Sequence, residues 1–266
     1  MPQARGLPSS KEDLRDRVAL VTGAAGAIGR AVSLLLAEAG AIVVAADVDE
    51  EGGRRTAQEA GGHFVTCDVT DVEANRAAVA FAVERGGRLD LVHLNAGVTT
   101  GCGIDEDFDA ARYRRAVGVN LDGVVFGAHA AMPALRASGG GAIVATASLA
   151  GLTGTPWDPV YSATKHGVVG LVRSLGPYVA AHGSRCNAVC PGYAESAMTV
   201  DIREAIEAQG LELLTAQAVA DAVLDAFLTD VSGECWFVQP GRTSEPFRFR
   251  NVPGPRPTSR AGSESH

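Results

Sequence analysis

Val18-Ala-Leu-Val-Thr22-Gly23-Ala-Ala-Gly26-Ala27-Ile28-Gly29 is the stretch on which the fold turns. Its first five residues are an apolar run that suits a buried parallel strand. The glycine-rich turn then runs directly into a helical pattern, Ile28, Val32, Leu35 and Leu36, that ends at Gly40. Strand, glycine turn and helix together are the context of a dinucleotide site. The glycines let the backbone approach a pyrophosphate, whose charge is met by free N–H groups at the helix N-terminus. A second strand, Ile42-Val-Val-Ala-Ala46, ends at Asp47. That carboxylate lies close to the spacing of roughly 20 residues after the glycines at which it accepts hydrogen bonds from an adenosine ribose.

The alternation continues outward from this unit. Residues 63–67 read as a strand leading to Asp68 and Val69, and Thr70 or Asp71 caps a helix with Val72, Val79 and Val83 on one face. Leu91-Val-His-Leu94 runs into Asn95-Ala96-Gly97. A helical stretch from about Phe108 to Arg136 is interrupted near Gly118, with Asn120 inside it. Residues 142–147 form a strand with Ser148 at its carboxyl end, residues 184–189 another, closed by Pro191-Gly192, and residues 235–238 the last. Strands alternating with helices predict one α/β domain over residues 17–242, a Rossmann-type doubly wound parallel sheet of about seven strands flanked by helices. Ligands of such sheets bind beyond the carboxyl ends of the strands, where Asp47, Asn95, Ser148 and Pro191 fall. Residues 1–16 read as a polar arm, and residues 243–266 as an extended, disordered tail.

Composition narrows the partners. The net charge of -8 over 266 residues argues against nucleic acid and anionic membranes. No apolar run reaches the roughly 18 residues of a membrane span, and no secretory signal opens the chain. Five cysteines without paired spacing suggest a reducing compartment, so the cytoplasm is expected. Cys186 and Cys190 read as buried apolar residues, with no His or Cys nearby to complete a metal site.

Tyr161-Ser-Ala-Thr-Lys165 places a phenol and an ammonium one turn apart on one helix face. A phenol with a pKa of about 10 is a poor base at neutral pH, and lowering it to about 7 takes roughly 4 kcal/mol, within reach of a close positive charge in a dry site. Alone the pair is common on surfaces. Likewise Ser148 reads equally as a strand-end cap, and Asn120 as a polar kink in an interrupted helix. Trp157 and Cys102 stand where they either line a substrate pocket or lie in loops, and His129 and His166 read as packed or solvent-facing helix residues.

Taken in order, these motifs resemble the short-chain dehydrogenase/reductase family over roughly residues 15–242. The resemblance implies a tetrad of Asn120, Ser148, Tyr161 and Lys165. Tyr161 would be general acid/base, Ser148 would hold the substrate oxygen, and Lys165 would bind the nicotinamide ribose and lower the tyrosine pKa. Asn120 would hold a water linking Lys165 to solvent. It further implies cofactor contacts from Gly23, Gly26, Ala27, Ile28 and Gly29, adenine contacts at Asp68 and Val69, and an Asn95-Ala96-Gly97 turn. Pro191, Gly192, Ala194 and Ser196 would meet the nicotinamide and its carboxamide. The activity implied is hydride transfer between a secondary alcohol or ketone and NAD, in a homodimer or homotetramer. NAD is expected over NADP because Asp47 would repel a 2′-phosphate. No Lys or Arg lies between Gly23 and Gly29, and Val48, Asp49, Glu50 and Glu51 follow Asp47.

Two departures stand out. The middle glycine of the family's commonest turn falls on Ala27, so the string also fits the spacing of an epimerase-like branch; Asn95-Ala96-Gly97 favours the shorter type. The end, Gln239-Pro-Gly-Arg242, replaces the usual Asp-Gly-Gly. A dinucleotide-binding regulator without chemistry is the other reading. Finally, Met198, Val200, Ile202 and Ile206 against Asp201, Arg203, Glu204 and Glu207 predict an amphipathic lid within residues 193–215. Val168, Val169, Leu171 and Val172 are too many for one helix face to bury against the sheet, which suggests cover by another copy.

Overall fold

Every residue of Val18–Thr22 (β1) is buried, and its unbroken apolar run follows, because a strand covered on both faces has no solvent side on which to alternate. In the computed structural model, which describes residues 14–250, β1 pairs in parallel with Ile42–Asp47 (β2) and with Leu91–Leu94 (β4). His63–Thr66 (β3) lies beyond β2, and Ala142–Thr146 (β5), Arg185–Pro191 (β6) and Cys235–Val238 (β7) follow beyond β4, all parallel. Glu245–Pro246 (β8) pairs antiparallel with β7. The sheet therefore has 8 strands in the order β3-β2-β1-β4-β5-β6-β7-β8, one more than expected.

Helices cover both faces and give two cores. Ala27–Glu38 (α1), Glu50–Glu59 (α2) and Ala216–Leu228 (α8) pack on one side through Val32, Leu36, Ala57, Val223 and Phe227. Val72–Gly86 (α3), Gly123–Ala137 (α5) and Pro159–Ala180 (α6) pack on the other through Val79, Ala131, Val168 and Val172. Ala110–Val117 (α4) continues into α5 through a π-helical turn, Gly118–Asp122, that buries Asn120. The short Arg203–Glu207 (α7) completes the set. Among the described residues no helix is long and apolar enough to cross a membrane.

Three expectations need correction. Leu14, assigned to the arm, is fully buried and donates its N–H to Ala39 O at 2.7 Å; the rest of the arm, residues 1–13, lies outside the described residues. Residues 243–250 are not a loose tail. They add β8, and Phe249 is held between an edge contact with Phe247 and the Arg173 guanidinium, 3.9 Å from its ring centroid. The remainder, residues 251–266, lies outside the described residues. Lastly, Val168, Val169 and Val172 are all buried within the chain and Leu171 is half-buried. The 3-10 turn Leu149–Gly151 covers a second side of α6, so close that a Cβ on Gly151 would fall 2.6 Å from Lys165 O. This run of apolar residues thus gives no argument for a second copy.

Asp90 fastens the edge of the sheet opposite the carboxyl ends. It is wholly buried, and its Oδ1 accepts from Arg17 at 2.9 Å and Arg88 at 2.6 Å. Oδ2 accepts from the Val18 N–H at 3.0 Å and from Arg88 Nε at 2.8 Å. Removing one partner of a buried ion pair strands the other charge, at a cost of about 3–5 kcal/mol. Asp90→Ala is therefore expected to lower the unfolding free energy by about 3 kcal/mol, read as an earlier urea midpoint at unchanged slope; a loss below about 1 kcal/mol would show the cluster to be ornamental.

Candidate active site

β1 and β4 lie side by side, yet the chain leaves them toward opposite edges of the sheet, and a crevice opens at their carboxyl ends. Gly23 forms its floor at φ +64°, and a Cβ there would meet Ala96 Cα at 2.8 Å. A Cβ on Gly29 would fall 2.2 Å from Gly23 O. Gly26 is less constrained, with Gly23 O at 3.4 Å from such a Cβ, and the Ala27 methyl is exposed. The alanine in the glycine motif therefore disturbs no packing. α1 starts at Ala27 with Gly26 as its N-cap and no side chain capping it, so its first N–H groups are left to a ligand.

Asn95 holds this turn in place. Its Nδ2 donates to Thr22 O and Gly23 O at 3.1 and 3.2 Å, and its N–H to Thr22 Oγ1 at 2.9 Å. Its Oδ1 accepts from Thr146 Oγ1 at 3.1 Å. With that proton spent, His93 Nε2, 2.9 Å from Thr146 Oγ1, must be the donor. The ring is neutral, and burial pushes its pKa down to about 3. His93 and Thr146 carry little signal in the sequence, each being a polar residue in an apolar strand.

A cleft of about 1510 Å³ collects most of the expected residues. Gly23, Gly26, Ala27 and Ile28 line it together with Asp47, Asp68, Val69, Asn95, Ala96 and Gly97. Ser148, Tyr161, Lys165, Pro191, Gly192, Ala194 and Ser196 line its other part. Gly29 and Asn120 do not reach the cleft; both are buried behind it. Asp47 accepts from the N–H groups of Ala25 and Asp49 at 2.9 and 3.0 Å. Asp68 accepts from the Thr70 N–H and hydroxyl at 2.9 and 2.8 Å.

Ser148 caps the 3-10 turn, accepting from the Ala150 N–H at 3.1 Å, and its hydroxyl lies 3.5 Å from Pro191 O. The cap reading holds, and the side chain still lines the cleft. Tyr161 sits in the first turn of α6. Enclosure pushes its pKa above the ordinary value, a hydrogen bond with Ser148 pulls it down, and the Asp158 charge pushes it up. Lys165 is not among the groups that shift it. Lys165 Nζ lies 5.6 Å from the Tyr161 ring centroid and donates to Thr146 O at 2.8 Å. Burial without a carboxylate partner instead lowers the lysine's own pKa to about 8.

Asn120 pairs with both backbone groups of Val98, donating to its O and accepting from its N–H, each at 2.8 Å, and its second amide proton goes to Thr164 Oγ1 at 3.2 Å. Both amide protons are committed, so any water on this side chain is left one lone pair of Oδ1. Trp157, at 68% exposure, stands at the rim with Met198 and Ile202, and Cys102 also lines the cleft. His129 meets Arg76 at the surface and His166 turns back to Ser162 O. Cys186 and Cys190 are buried and free.

Residues 193–215 do not form one amphipathic helix. Only Arg203–Glu207 is helical, Ile206 is buried, and Val200 is 67% exposed. Turn bonds win locally: Thr199 Oγ1 donates to Ala194 O at 2.8 Å. The segment is closed at its base by an Ala194–Leu214 bridge.

The model of the family described as short chain dehydrogenase matches residues 17–207. The chain is 38% identical over 195 residues to cyclohexanol dehydrogenase of Acinetobacter sp. (strain SE19), covering 71% of this chain and 78% of that one. It is 38% identical to cis-4-hydroxycyclohexanecarboxylate dehydrogenase of Sinomonas cyclohexanicum, over 82% of this chain and 90% of the other. The crystal structure of levodione reductase superposes with a TM-score of 0.78 at 31% identity, over 85% of this chain and 97% of that chain. The glycine turn at the sheet's switch point, the cleft beyond the strand ends and these likenesses agree: the chain belongs to the short-chain dehydrogenase family.

Proposed function

We propose that the protein is an NAD-dependent dehydrogenase of secondary alcohols, also able to run the reverse ketone reduction, with Tyr161 as general acid/base. The observation that carries this is the meeting of Ser148, Tyr161 and Lys165 in the same cleft as the bare N-terminus of α1 and Asp47. When bound, the nicotinamide supplies the hydride acceptor for oxidation and the donor for reduction.

The chain's own groups supply the rest. Ser148 Oγ accepts from Ala150 N–H and its 3.5 Å contact to Pro191 O is weak, so the proton it shares with Tyr161 can pass to a substrate oxygen set between the two hydroxyls. The raised pKa of Tyr161 keeps the phenol protonated at neutral pH. It can therefore give a proton to a ketone oxygen at neutral pH, whereas taking one from an alcohol improves toward alkaline pH. Lys165 has given one of its three protons to Thr146 O and has two left for ribose hydroxyls. The cofactor preference rests on Asp47 and on the commitment of neighbouring cations, Arg54 to Glu50 and Arg30 to Glu59. The substrate reading rests on the apolar rim of Trp157, Met198 and Ile202 and on the ring alcohols named for the relatives. We take it to be a secondary alcohol with a hydrophobic, ring-like body, over which residues 193–215 act as a lid.

A screen of secondary alcohols that begins with cyclohexanol, reading absorbance of the reduced cofactor, tests the whole proposal. NAD should exceed NADP by about tenfold or more in kcat/KM. Equal use would remove the cofactor assignment, and Asp47→Ala should narrow the gap. Tyr161→Phe should abolish turnover and leave the NAD Kd within a few-fold; wild-type rates would refute the mechanism. Lys165→Met should weaken NAD binding yet stabilise the cofactor-free protein. The folded pKa of about 8 lies below the ordinary 10.5, so the unfolded chain binds the extra proton between those values. The penalty is complete below the folded pKa and gone above the unfolded one. Calorimetry should show a gain of roughly 3 kcal/mol at neutral pH that fades as pH rises through this window; a gain independent of pH would contradict it.

A further inference from the structure

Asp158 does more than begin a helix. It is the N-cap of α6, and its Oδ1 accepts the Tyr161 N–H at 3.0 Å. Its Oδ2 accepts a second N–H, that of Thr100, also at 3.0 Å. Thr100 belongs to the loop after β4, is 3% exposed, and its hydroxyl has no partner among the described residues. The same loop is gripped two residues earlier, where Asn120 pairs with both backbone groups of Val98. Beyond these holds the loop runs along the cleft through Gly101, Cys102 and Gly103.

A serine or threonine cap has one side-chain oxygen and satisfies the helix. A carboxylate has two, and here the second reaches across the cleft wall to another element. We propose that Asp158 is a positioning residue for the reaction, one carboxylate that locks the substrate-side loop to the helix carrying Tyr161 and sets a negative charge within reach of that phenol. This rests on the reading of Tyr161 as acid/base.

The charge acts in a defined company. Ser148 from the end of β5 pulls the phenol's pKa down while Asp158 pushes it up. Lys165 lies below the ring, and Cys190 on β6, beside Lys165, is held neutral by Cys235 and burial. Tyr193, whose pKa burial also raises, lines the same cleft. α4 brings exposed Arg114 and Arg115 to the cleft, and the π-helical turn carries Asp122, half-buried. Asp107 and Asp201 also line the cleft, and among the described residues Asp158 is the carboxylate whose charge raises the Tyr161 pKa.

Removing its charge should make the phenolate easier to form. In NAD-saturated protein, the phenolate absorbance of Tyr161, taken as the difference from Tyr161→Phe, should titrate lower in Asp158→Asn by about half a pH unit or more, about threefold in the acid constant. The alkaline rise of alcohol oxidation should move with it. The substrate KM should rise several-fold, because an amide sets an accepting oxygen at only one of the two positions and turns a donor to the N–H at the other. The NAD Kd should stay within about twofold. If Asp158→Asn does not fold, Asp158→Ser, which keeps a capping hydroxyl, serves the same comparison. A wild-type titration midpoint and KM in the folded variant would reduce Asp158 to a helix cap, and failure of both variants to fold would make it structural; either overturns the proposal. A wild type inert toward every alcohol, in which Tyr161 still titrates according to residue 158, would fail the dehydrogenase reading and leave this one standing.

Discussion

The side chain of Asn95 holds the site together. Where the strand order reverses, no crossover helix spans the carboxyl ends of β1 and β4, and something must keep the resulting crevice from closing or drifting. Asn95 does so by satisfying the last carbonyl of β1, Thr22 O, and the first of the glycine turn, Gly23 O, with its two amide protons. It takes its own support from Thr146 at the end of β5. Thr146 then serves twice. Its hydroxyl steadies the glycine turn through Asn95, and its carbonyl receives Lys165 Nζ. The glycine-turn end of the cleft and the end that holds Lys165 therefore share one threonine, and neither can shift without the other.

Two buried charges show what this arrangement costs. Asp90 and Lys165 are both almost completely shielded from water. Asp90 has two guanidinium groups and a backbone N–H about its oxygens. Lys165 has a carbonyl and a ring face. The first is compensated; the second is left short of partners. The difference lies in where they sit. Asp90 is at the amino edge of the sheet, where nothing needs to bind, and Lys165 is at the carboxyl edge, where a ligand can complete its shell.

The sequence makes the sheet legible because the signals are local: apolar runs of strand length, glycines at forced turns, and caps immediately before helix starts. Gly29 is readable for the same reason, since the nearby Gly23 O leaves no room for a Cβ, and Gly23 is readable as a forced turn at φ +64°, although the Ala96 backbone that also demands it is distant in the chain. What escapes is what depends on distant chain. β8 is two residues long and contains a proline, and its neighbour Phe249 is anchored by Arg173 on α6. Helical spacing correctly places Lys165 near Tyr161, but it says nothing of Thr146 O, which captures the ammonium. Likewise the pattern of apolar and polar residues at 198–207 predicts an amphipathic lid, but not the hydroxyl-to-carbonyl bonds of Thr199 that hold residues 194–199 in turns.

The clasp at the base of residues 193–215 has a consequence for how this protein can change over time. Glu195 N–H bonds to Leu214 O at 2.9 Å and Leu214 N–H to Tyr193 O at 2.7 Å, so the two ends of the segment meet before its interior is specified. For a loop whose ends are already joined, doubling its length adds only about 0.6 kcal/mol of closure entropy. The interior is therefore open to insertion, deletion and drift while the sheet below keeps its stability. Selection for new molecules at the cleft can act on one exchangeable module, and the scaffold carrying the reactive groups need not be rebuilt each time.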